Sequence, residues 1–430
     1  MKNRTHFPGV FWIANTIEIL ERFAYYGIYM GFGIYMEYLG YTKAELGIVQ
    51  SLFLLFSYVT PVFSGTFADR YGFKKVLIVS YLAYLPSILL LIITKSFSGI
   101  ALTMLSIGLA AGIFKPLISG TVRVVSDKTN KTLGFGIFYA MVNVGASFGP
   151  IVAGNLRAIS WNYAFLAAAI GIVLMLLITI FFYKEPPREL EGVSLKQKFK
   201  DMGTALSDYK FLIFLILLGI FFWLPFWSFF NLLAVYIDRN LNTVSLYQSL
   251  KGVFGAGFAS IFSEDTGNGT RRVLGETIAN TGYIIIIFQL IISSIFEKRK
   301  ALPSFLFGLF VIGISFLVIA YAKIGASEWI FFGIFLFAVG EMISSPRIQE
   351  YITWIAPKEK AGLYMGSNFL ATGLGGALSG VIYTSLYGYF RDSLNQPEYV
   401  WLTLAANIFL GILAIFIFTK TLGEFKELDK

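Results

Sequence analysis

Long uncharged runs constrain this chain more than any other feature of its sequence. The stretches 211–235, 278–296 and 302–321 contain no Asp, Glu, Lys or Arg. A bilayer core of roughly 30 Å needs about 20 helical residues to cross it. Backbone groups in lipid must be hydrogen-bonded internally, so such runs form helices or closed barrels. Because the apolar residues are continuous rather than alternating, we expect helices.

The apolar fraction is also too high for a soluble protein. Of the 430 residues, 57% are hydrophobic and only 14% are charged, which leaves too few polar residues to cover a folded domain. We therefore predict an all-α integral membrane protein with twelve transmembrane helices. The predicted spans are 8–38, 44–67, 74–94, 98–124, 133–156, 160–183, 211–237, 273–296, 302–322, 328–354, 361–388 and 399–419.

Basic residues are distributed unevenly between the two sides that these spans define. With both termini cytoplasmic, 22 of the 34 Lys and Arg residues fall on the cytoplasmic side and nine on the other. Since cytoplasmic loops are enriched in Lys and Arg, we expect a multi-pass protein of the cell membrane with both termini in the cytoplasm. The same enrichment accounts for the net charge of +9, so nucleic acid is not an expected partner.

A charged segment divides the chain into two halves. Residues 185–210 form the longest predicted cytoplasmic linker, between an N-terminal six-helix bundle, 1–184, and a C-terminal six-helix bundle, 211–430. On the opposite side, residues 239–272 are polar and Gly-rich. We expect them to form a loop with at most a short surface helix.

Span 1 carries charges where lipid makes them costly. Glu18, Glu21 and Arg22 lie at membrane depth, where each charge costs at least about 2.5 kcal/mol. Spacings of three and four residues place Glu18, Arg22 and the pair Tyr25 and Tyr26 on one helical face. Two acids beside one base can exchange a proton, because burial favours a neutral carboxyl and a nearby cation favours a charged one. The alternative is a static ion network that holds helices together.

Two further charges lie in the middle of later spans. Lys115 in span 4 needs a carboxylate partner, because a lone buried ammonium is costly, and Glu18 or Glu21 is the expected partner. Glu341 in span 10 has no obvious cation at its depth, so we expect it to bind the ammonium group of a ligand. Its alternative partner is Arg347, which lies nearly two helical turns away.

Together these charges predict a dipolar cavity. One half of the chain carries Arg22 and Lys115, and the other carries Glu341. Such a cavity suits a zwitterion, and the charges alone leave an amino acid, a peptide and a betaine equally open. Asn143 and Asn280 are further mid-span polar groups, which either bind the ligand or bridge helices.

The segment after span 2 contains a signature of its own. It runs from Gly65 to Lys75 and reads Gly-Thr-Phe-Ala-Asp-Arg-Tyr-Gly-Phe-Lys-Lys. It resembles the GxxxDRxGRxK signature of the major facilitator superfamily, with Phe73 where Arg is usual. Asp69 and Arg70 are therefore candidate gate residues, since Asp69 can cap a helix and pair with Arg across a cytoplasmic gate. The alternative is a solvated turn.

A more specific resemblance extends over most of the chain. Residues 18–27 read Glu-Ile-Leu-Glu-Arg-Phe-Ala-Tyr-Tyr-Gly and match the ExxERFxYYG signature of the proton-coupled oligopeptide transporter (POT/PTR2) family. Other segments that resemble motifs of that family are Gly112–Pro116, Phe138–Gly145, Gly340–Pro346, Ala356–Pro357 and Gly362–Gly366. Tyr58 and Asn280 also fall on family-like positions.

The resemblance implies how the site would work. Acidic residues would couple protons through a lysine, cations would hold the peptide carboxylate, and an acid with two amides would hold the amino terminus. In that order, these residues are Glu18 and Glu21 with Lys115, then Arg22 and Lys115, then Glu341 with Asn143 and Asn280. The tyrosines implied to line the pocket are Tyr25, Tyr26 and Tyr58.

Two features depart from that family's pattern. The family often has an acidic residue in span 7, whereas residues 222–231 contain none, and Arg347 and Glu350 add charges to the inner half of span 10. The number of protons per transport cycle therefore does not follow from the resemblance.

We predict a proton-coupled symporter that imports di- and tripeptides by alternating access. The alternative is a major facilitator carrier for an amino-acid derivative, a lipid or a drug, and a lipid substrate would require an apolar lateral opening. An enzyme is not expected, because the sequence has no nucleophile–base set, no metal-ligand cluster and no phosphate loop. We expect small peptides and the lipid bilayer as partners, the proton as coupling ion without a cofactor or metal, and a functional monomer.

Overall fold

Helices make up nearly all of the structure, which is a computed structural model describing residues 7–126, 130–186, 195–296, 299–355 and 361–423. The α-helices are α1 Gly9–Tyr38, α2 Lys43–Tyr71, α3 Phe73–Ile93, α4 Phe97–Val125, α5 Lys131–Arg157, α6 Trp161–Phe181, α7 Leu195–Leu206, α8 Tyr209–Leu218, α9 Leu224–Asn240, α10 Thr243–Phe254, α11 Ala256–Ser260, α12 Gly275–Ile278, α13 Gly282–Phe296, α14 Ala301–Ile324, α15 Trp329–Ile355, α16 Ala361–Leu378, α17 Ser385–Asp392 and α18 Tyr399–Leu422. Two π-helical segments, π1 Gly219–Trp223 and π2 Ser379–Thr384, join α8 to α9 and α16 to α17.

The predicted all-α membrane fold is confirmed. Within the described residues, eleven helical segments are long and apolar enough to cross a bilayer. The 30-residue helix α1 is long enough as well, although it contains four charged residues, Glu18, Glu21, Arg22 and Glu37. These twelve segments correspond to the twelve predicted spans. The span predicted at 273–296 is broken into α12 and α13 around Ala279–Thr281.

The segment predicted as a loop at 239–272 is more structured than expected, and that prediction was wrong. It contains α10, α11 and an antiparallel hairpin in which β1 Ser263–Asp265 pairs with β2 Arg271–Val273. Positive φ angles at Gly267 (82°) and Gly269 (71°) form the turn between the strands. Gly255, between α10 and α11, also has a positive φ (84°). Three glycines of this segment therefore occupy turns between its elements, where the backbone adopts left-handed φ values.

The predicted linker also contains a helix. Helix α7, Leu195–Leu206, lies within residues 185–210. Asp208 then starts the next helix, because its carboxylate accepts hydrogen bonds from the backbone N–H groups of Lys210 (3.0 Å) and Phe211 (3.3 Å). Sequence reasoning treated this segment as a connection because its charges carry no membrane signal.

The chain forms two compact units. The first unit is 1–35 with 52–195, and the second is 36–51 with 196–430. The sequence-based division placed residues 36–51 in the first bundle, whereas their contacts group them with the second unit. Gln50 illustrates these contacts, since its amide donates to the Asn231 carbonyl (3.1 Å) and accepts from Thr384 Oγ1 (2.8 Å).

In the first unit, glycines allow α5 to pack directly on α1. A Cβ atom added at Gly145 would lie 2.7 Å from Arg22 Cβ and still closer to the Ile19 carbonyl oxygen. A Cβ atom at Gly149 would lie against the Phe23 carbonyl oxygen. Only glycine permits this approach, so the α5 backbone supports the α1 face that carries Arg22.

The start of α3 is capped by a residue more than 100 positions away. The Glu185 carboxylate accepts hydrogen bonds from the backbone N–H groups of Phe73 (2.7 Å) and Lys74 (2.8 Å). Gly72 precedes them with a φ of 95°. The Lys74 ammonium donates to the Ile180 carbonyl oxygen (2.9 Å), so the segment between α2 and α3 is attached to the end of α6.

Candidate functional site

Helix α1 carries a buried group of three charges, Glu18, Glu21 and Arg22, which we term the Arg22 cluster. Arg22 Nε donates to Glu18 Oε1 at 2.7 Å and lies 3.1 Å from Glu21 Oε2. The two glutamates are 1% and 0% exposed, and Arg22 is 9% exposed. One guanidinium therefore serves two carboxylates in a place that water barely reaches, and the cluster carries one negative charge more than positive charges.

Tyrosines continue the same face of α1. The Arg22 guanidinium lies 5.8 Å from the centre of the Tyr25 ring. The Tyr25 and Tyr26 rings are 5.2 Å apart in an edge-to-face arrangement. Tyr25 also packs on Phe53 of α2, with ring centres 5.1 Å apart. These contacts place Arg22, Tyr25 and Tyr26 together, as the helical spacing predicted.

Lys115 makes different contacts from those expected. Its ammonium donates to the Ser57 carbonyl oxygen (3.2 Å) and lies 3.7 Å from the centre of the Tyr58 ring and 5.1 Å from that of Tyr25. In the described part of the chain no carboxylate lies within 4.0 Å of it, so the predicted ion pair with Glu18 or Glu21 is wrong. Both glutamates face Arg22, and two aromatic faces stabilise the lysine cation instead.

Asn143 lies on α5, also in the first unit. It is 7% exposed, and its amide nitrogen donates to the Tyr139 carbonyl oxygen one turn earlier (2.9 Å). This contact is local to α5, so it neither bridges helices nor depends on a ligand. The role of Asn143 in substrate binding stays a prediction.

In the second unit, Glu341 lies on α15 beside the break between α12 and α13. Its carboxylate accepts a hydrogen bond from Thr281 Oγ1 (2.9 Å). Across the described residues no Lys or Arg lies within 4.0 Å of this carboxylate. Asn280 Oδ1 accepts from the Gly282 backbone N–H (2.6 Å) and so caps the start of α13. Sequence reasoning missed Thr281, although Asn-Thr-Gly inside a predicted span is a turn signal that pointed to it.

The alternative partner for Glu341 is engaged elsewhere. Arg347 Nη1 lies 2.5 Å from Glu350 Oε2, one turn further along α15. Arg347 therefore does not neutralise Glu341, and the alternative of a local Glu341–Arg347 pair is excluded.

A second group of charges, Glu37, Lys43, Arg239 and Arg391, lies in the second unit, and we term it the Glu37 cluster. Glu37 Oε1 lies 2.5 Å from both Lys43 Nζ and Arg391 Nη1, and Glu37 Oε2 lies 2.8 Å from Arg239 Nε. The three cations come from α2, α9 and α17. Sequence reasoning did not single out this cluster, because each member sits near a helix end, where charges are ordinary.

The motif after α2 is described only in part. The side chain of Asp69 lies outside the described part of the chain, so its role in a gate stays a prediction. The Arg70 side chain is exposed, and its guanidinium lies 5.3 Å from the centre of the Tyr71 ring.

An apolar groove of about 670 Å³ lies between α2, α3 and α4 of the first unit. Phe56, Phe63 and Phe67 contribute aromatic walls, and Lys75 and Tyr71 lie at one end. The groove is a candidate for an apolar ligand. It shares no lining residue with the Arg22 cluster.

The charged groups can bind complementary charges, and they include no metal site. Lys115 is a cation without a carboxylate contact, and Glu341 is a carboxylate without a cation contact, in the ranges that the structure describes. Those ranges also contain no group of three or more His, Cys, Asp or Glu side chains suited to a metal ion. The charged groups described here can take part in ion pairing.

Comparison with known proteins decides the family. The model of the Major Facilitator Superfamily matches residues 14–380. The chain belongs to the major facilitator superfamily. A relative of this facilitator protein is the quinolone resistance protein NorA of Staphylococcus aureus (strain MSSA476), 25% identical over 247 residues, which cover 55% of this chain and 63% of NorA. The match thus spans less than two thirds of that relative.

Solved structures agree with the facilitator fold over the whole chain. A POT family transporter in complex with 5-aminolevulinic acid is 20% identical, with a TM-score of 0.74 over 96% of both chains. The peptide transporter POT in complex with sulfate is 18% identical, with a TM-score of 0.77 over 99% of this chain and 97% of that one. The fold of this facilitator protein is therefore that of POT family transporters.

Proposed function

We propose that this facilitator protein is a proton-coupled symporter of the POT family that imports di- and tripeptides by alternating access. Its substrate would be held by its two termini, with the carboxylate at Arg22 and Lys115 and the ammonium at Glu341. The observation that carries the proposal is a pair of opposite charges, Lys115 and Glu341, neither of which has an opposite charge within 4.0 Å among the described residues.

The argument from Lys115 is energetic. A charge at membrane depth costs at least about 2.5 kcal/mol, and it persists where it lines a cavity or meets an opposite charge. The close contacts of Lys115 are a carbonyl oxygen and two aromatic rings, and Glu18 and Glu21 act on it only at longer range. A carboxylate that enters beside Tyr58 would supply the missing counter-charge, with Tyr25 and Tyr58 forming the walls of that position.

Glu341 is a buried charge of the opposite sign, and the same energetic argument applies to it. The carboxylate is held by a single neutral donor, Thr281. A substrate ammonium brings three N–H donors and a full positive charge, so it would satisfy the remaining lone pairs of Glu341. Thr281 would fix the orientation of the carboxylate, and Asn280, by capping α13, would position Thr281.

Proton coupling would reside in the Arg22 cluster. Two carboxylates compete for one guanidinium, and a proton on either glutamate leaves Arg22 fully paired with the other. A substrate carboxylate at Arg22 would displace one glutamate from its cation, and the displaced group would then take a proton. Protonation and substrate binding would thus be linked through a single side chain.

Uptake into proteoliposomes tests this proposal. We expect dialanine uptake to rise with an inward proton gradient, and Arg22→Ala and Glu341→Ala to reduce it to background. Lys420→Gln, which removes a cation at the end of α18, is the matched control and should transport normally. Dialanine uptake that depends on neither the proton gradient nor the membrane potential would contradict proton coupling.

A second candidate function is a carrier for an amino-acid derivative, a lipid or a drug. It is motivated by the apolar groove between α2 and α4 and by the similarity to a quinolone resistance protein. Competition separates the two candidates. Dipeptides, 5-aminolevulinic acid and a quinolone are each added to the dialanine assay, and a dipeptide is expected to compete most strongly. Stronger competition by the quinolone would favour the second candidate.

A further inference from the structure

The Arg347–Glu350 ion pair lines a pocket that the proposed function does not use. This pocket, which we term the Arg347 pocket, has a volume of about 470 Å³. Its walls include Leu290, Ser294 and Phe296 of α13 and Pro346, Arg347 and Glu350 of α15. A guanidinium at this depth is costly unless something uses it, and one carboxylate contact occupies only part of its five-donor fork.

The surroundings of the pocket are apolar. Ile287, Leu290, Ile291 and Ser294 share one face of α13, because they are three or four residues apart. The first three are 64%, 80% and 55% exposed. In a membrane protein, exposed aliphatic side chains in the middle of a spanning helix contact lipid tails. The Arg347 pocket therefore opens on a face that lies in hydrocarbon, and a water-soluble ligand is disfavoured there.

More cations lie at the end of this face. A second pocket of about 510 Å³ is lined by Arg299, Lys300 and Ser304, and it shares the side chain of Phe296 with the Arg347 pocket. The Arg299 guanidinium lies 5.8 Å from the centre of the Phe296 ring. The ring thus lies between two pockets that each contain a guanidinium, Arg347 paired with Glu350 within the helices and Arg299 at the predicted cytoplasmic surface.

We propose that the Arg347 pocket binds the phosphate of an anionic phospholipid. The planar guanidinium of Arg347 matches two phosphate oxygens, Arg299 and Lys300 attract the negatively charged headgroup from the surface, and the acyl chains lie along Leu290 and Ile287. Glu350 opposes this binding, because its carboxylate occupies the same guanidinium and repels the phosphate.

Native mass spectrometry of the full chain tests the proposal. The protein is released from micelles that contain either phosphatidylglycerol or phosphatidylcholine, and the bound lipid is measured. Both lipids carry a phosphate, but the choline ammonium of phosphatidylcholine offsets the negative charge that the cations attract. We therefore expect phosphatidylglycerol to bind roughly tenfold more tightly than phosphatidylcholine. Arg347→Gln should remove that preference, whereas Arg123→Gln, which removes a cation from α4 of the first unit, should keep it.

Glu350→Gln gives a result that a purely structural ion pair would not. It should raise the affinity for phosphatidylglycerol more than that for phosphatidylcholine, because Glu350 repels the phosphate of both lipids but attracts the choline cation. Arg347→Lys should give an intermediate preference. These two variants retain a cation at position 347 and carry the test if Arg347→Gln does not fold.

Four results would overturn the proposal. They are equal affinity for the two lipids, equal effects of Arg347→Gln and Arg123→Gln, displacement of phosphatidylglycerol by inorganic phosphate, and displacement by dialanine. The third result would assign the pocket to a soluble anion, and the fourth would place it on the substrate route. Because peptide uptake is not part of this measurement, failure here leaves the proposed transport function standing.

Discussion

The Arg22 cluster and the Glu37 cluster are both ion networks, but their charges are in opposite balance. In the Arg22 cluster two carboxylates share one cation, whereas in the Glu37 cluster one carboxylate is shared by three cations. Surplus acid leaves a carboxylate that can accept a proton, while surplus base holds its single acid in the charged form. We therefore expect proton exchange in the first cluster and a structural role for the second.

Removing the shared cation of the Arg22 cluster should have the largest effect. Arg22→Gln leaves two buried carboxylates without their cation, and breaking a buried pair costs about 3 kcal/mol or more. We expect loss of dialanine uptake together with a lower thermal unfolding midpoint. Arg391→Gln removes one of three cations and should keep most uptake and stability. Equal damage by both substitutions would abolish the distinction between the clusters.

Removing the shared acid of the Glu37 cluster should come next. Glu37→Gln leaves Lys43, whose side chain is only 3% exposed, without its carboxylate contact. Arg239 keeps Asp238 at 3.6 Å and Arg391 keeps Asp392 at 2.7 Å. Because two of the cations reach water, the destabilisation should be about 2 kcal/mol, below the usual cost for a buried pair. Thermal unfolding of the purified protein measures it. Recovery of stability in Glu37→Gln with Lys43→Met would confirm the unpaired Lys43 as the cause.

Neutralising one acid of the Arg22 cluster should separate coupling from folding. Glu21→Gln keeps the Arg22–Glu18 pair at 2.7 Å, so the unfolding midpoint should change little. We expect uptake driven by a proton gradient to fall about 100-fold, the lower end of the range for loss of a proton-transfer group. Exchange of dialanine at equal pH on both sides should persist. A matched loss of both activities would point to a static network.

The smallest effect should come from the most exposed member of the Glu37 cluster. The Arg239 side chain is 39% exposed, and exposed ion pairs contribute about 0.5 kcal/mol. Arg239→Gln should therefore lower the unfolding midpoint only slightly, and added salt should remove even that difference. A decrease in the unfolding midpoint as large as that of Glu37→Gln would show that Arg239 alone provides most of the stabilisation in the Glu37 cluster.

The sequence was most informative where membrane physics left few options. Uncharged runs of 20 residues predicted the spans, and the spacing of Arg22, Tyr25 and Tyr26 predicted their common face. It failed where contacts between distant segments decide the outcome. Lys115 was expected to pair with Glu18 or Glu21. That prediction failed because both glutamates contact Arg22, which the sequence alone does not reveal. Thr281 was missed because the continuous apolar run was interpreted as one helix and the Asn-Thr-Gly turn signal within it was passed over.

Capping of α3 by Glu185 explains how the motif after α2 tolerates an unusual residue. The Glu185 carboxylate accepts hydrogen bonds from the backbone N–H groups of residues 73 and 74. It therefore does not require an arginine side chain at position 73 as its partner. Gly72, with a φ of 95°, directs both amides toward that acid. Substitution of Gly72 should therefore lower the stability of the protein far more than substitution of Phe73. A motif search that insists on a basic residue after this glycine would pass over chains that bind the same carboxylate through their backbone.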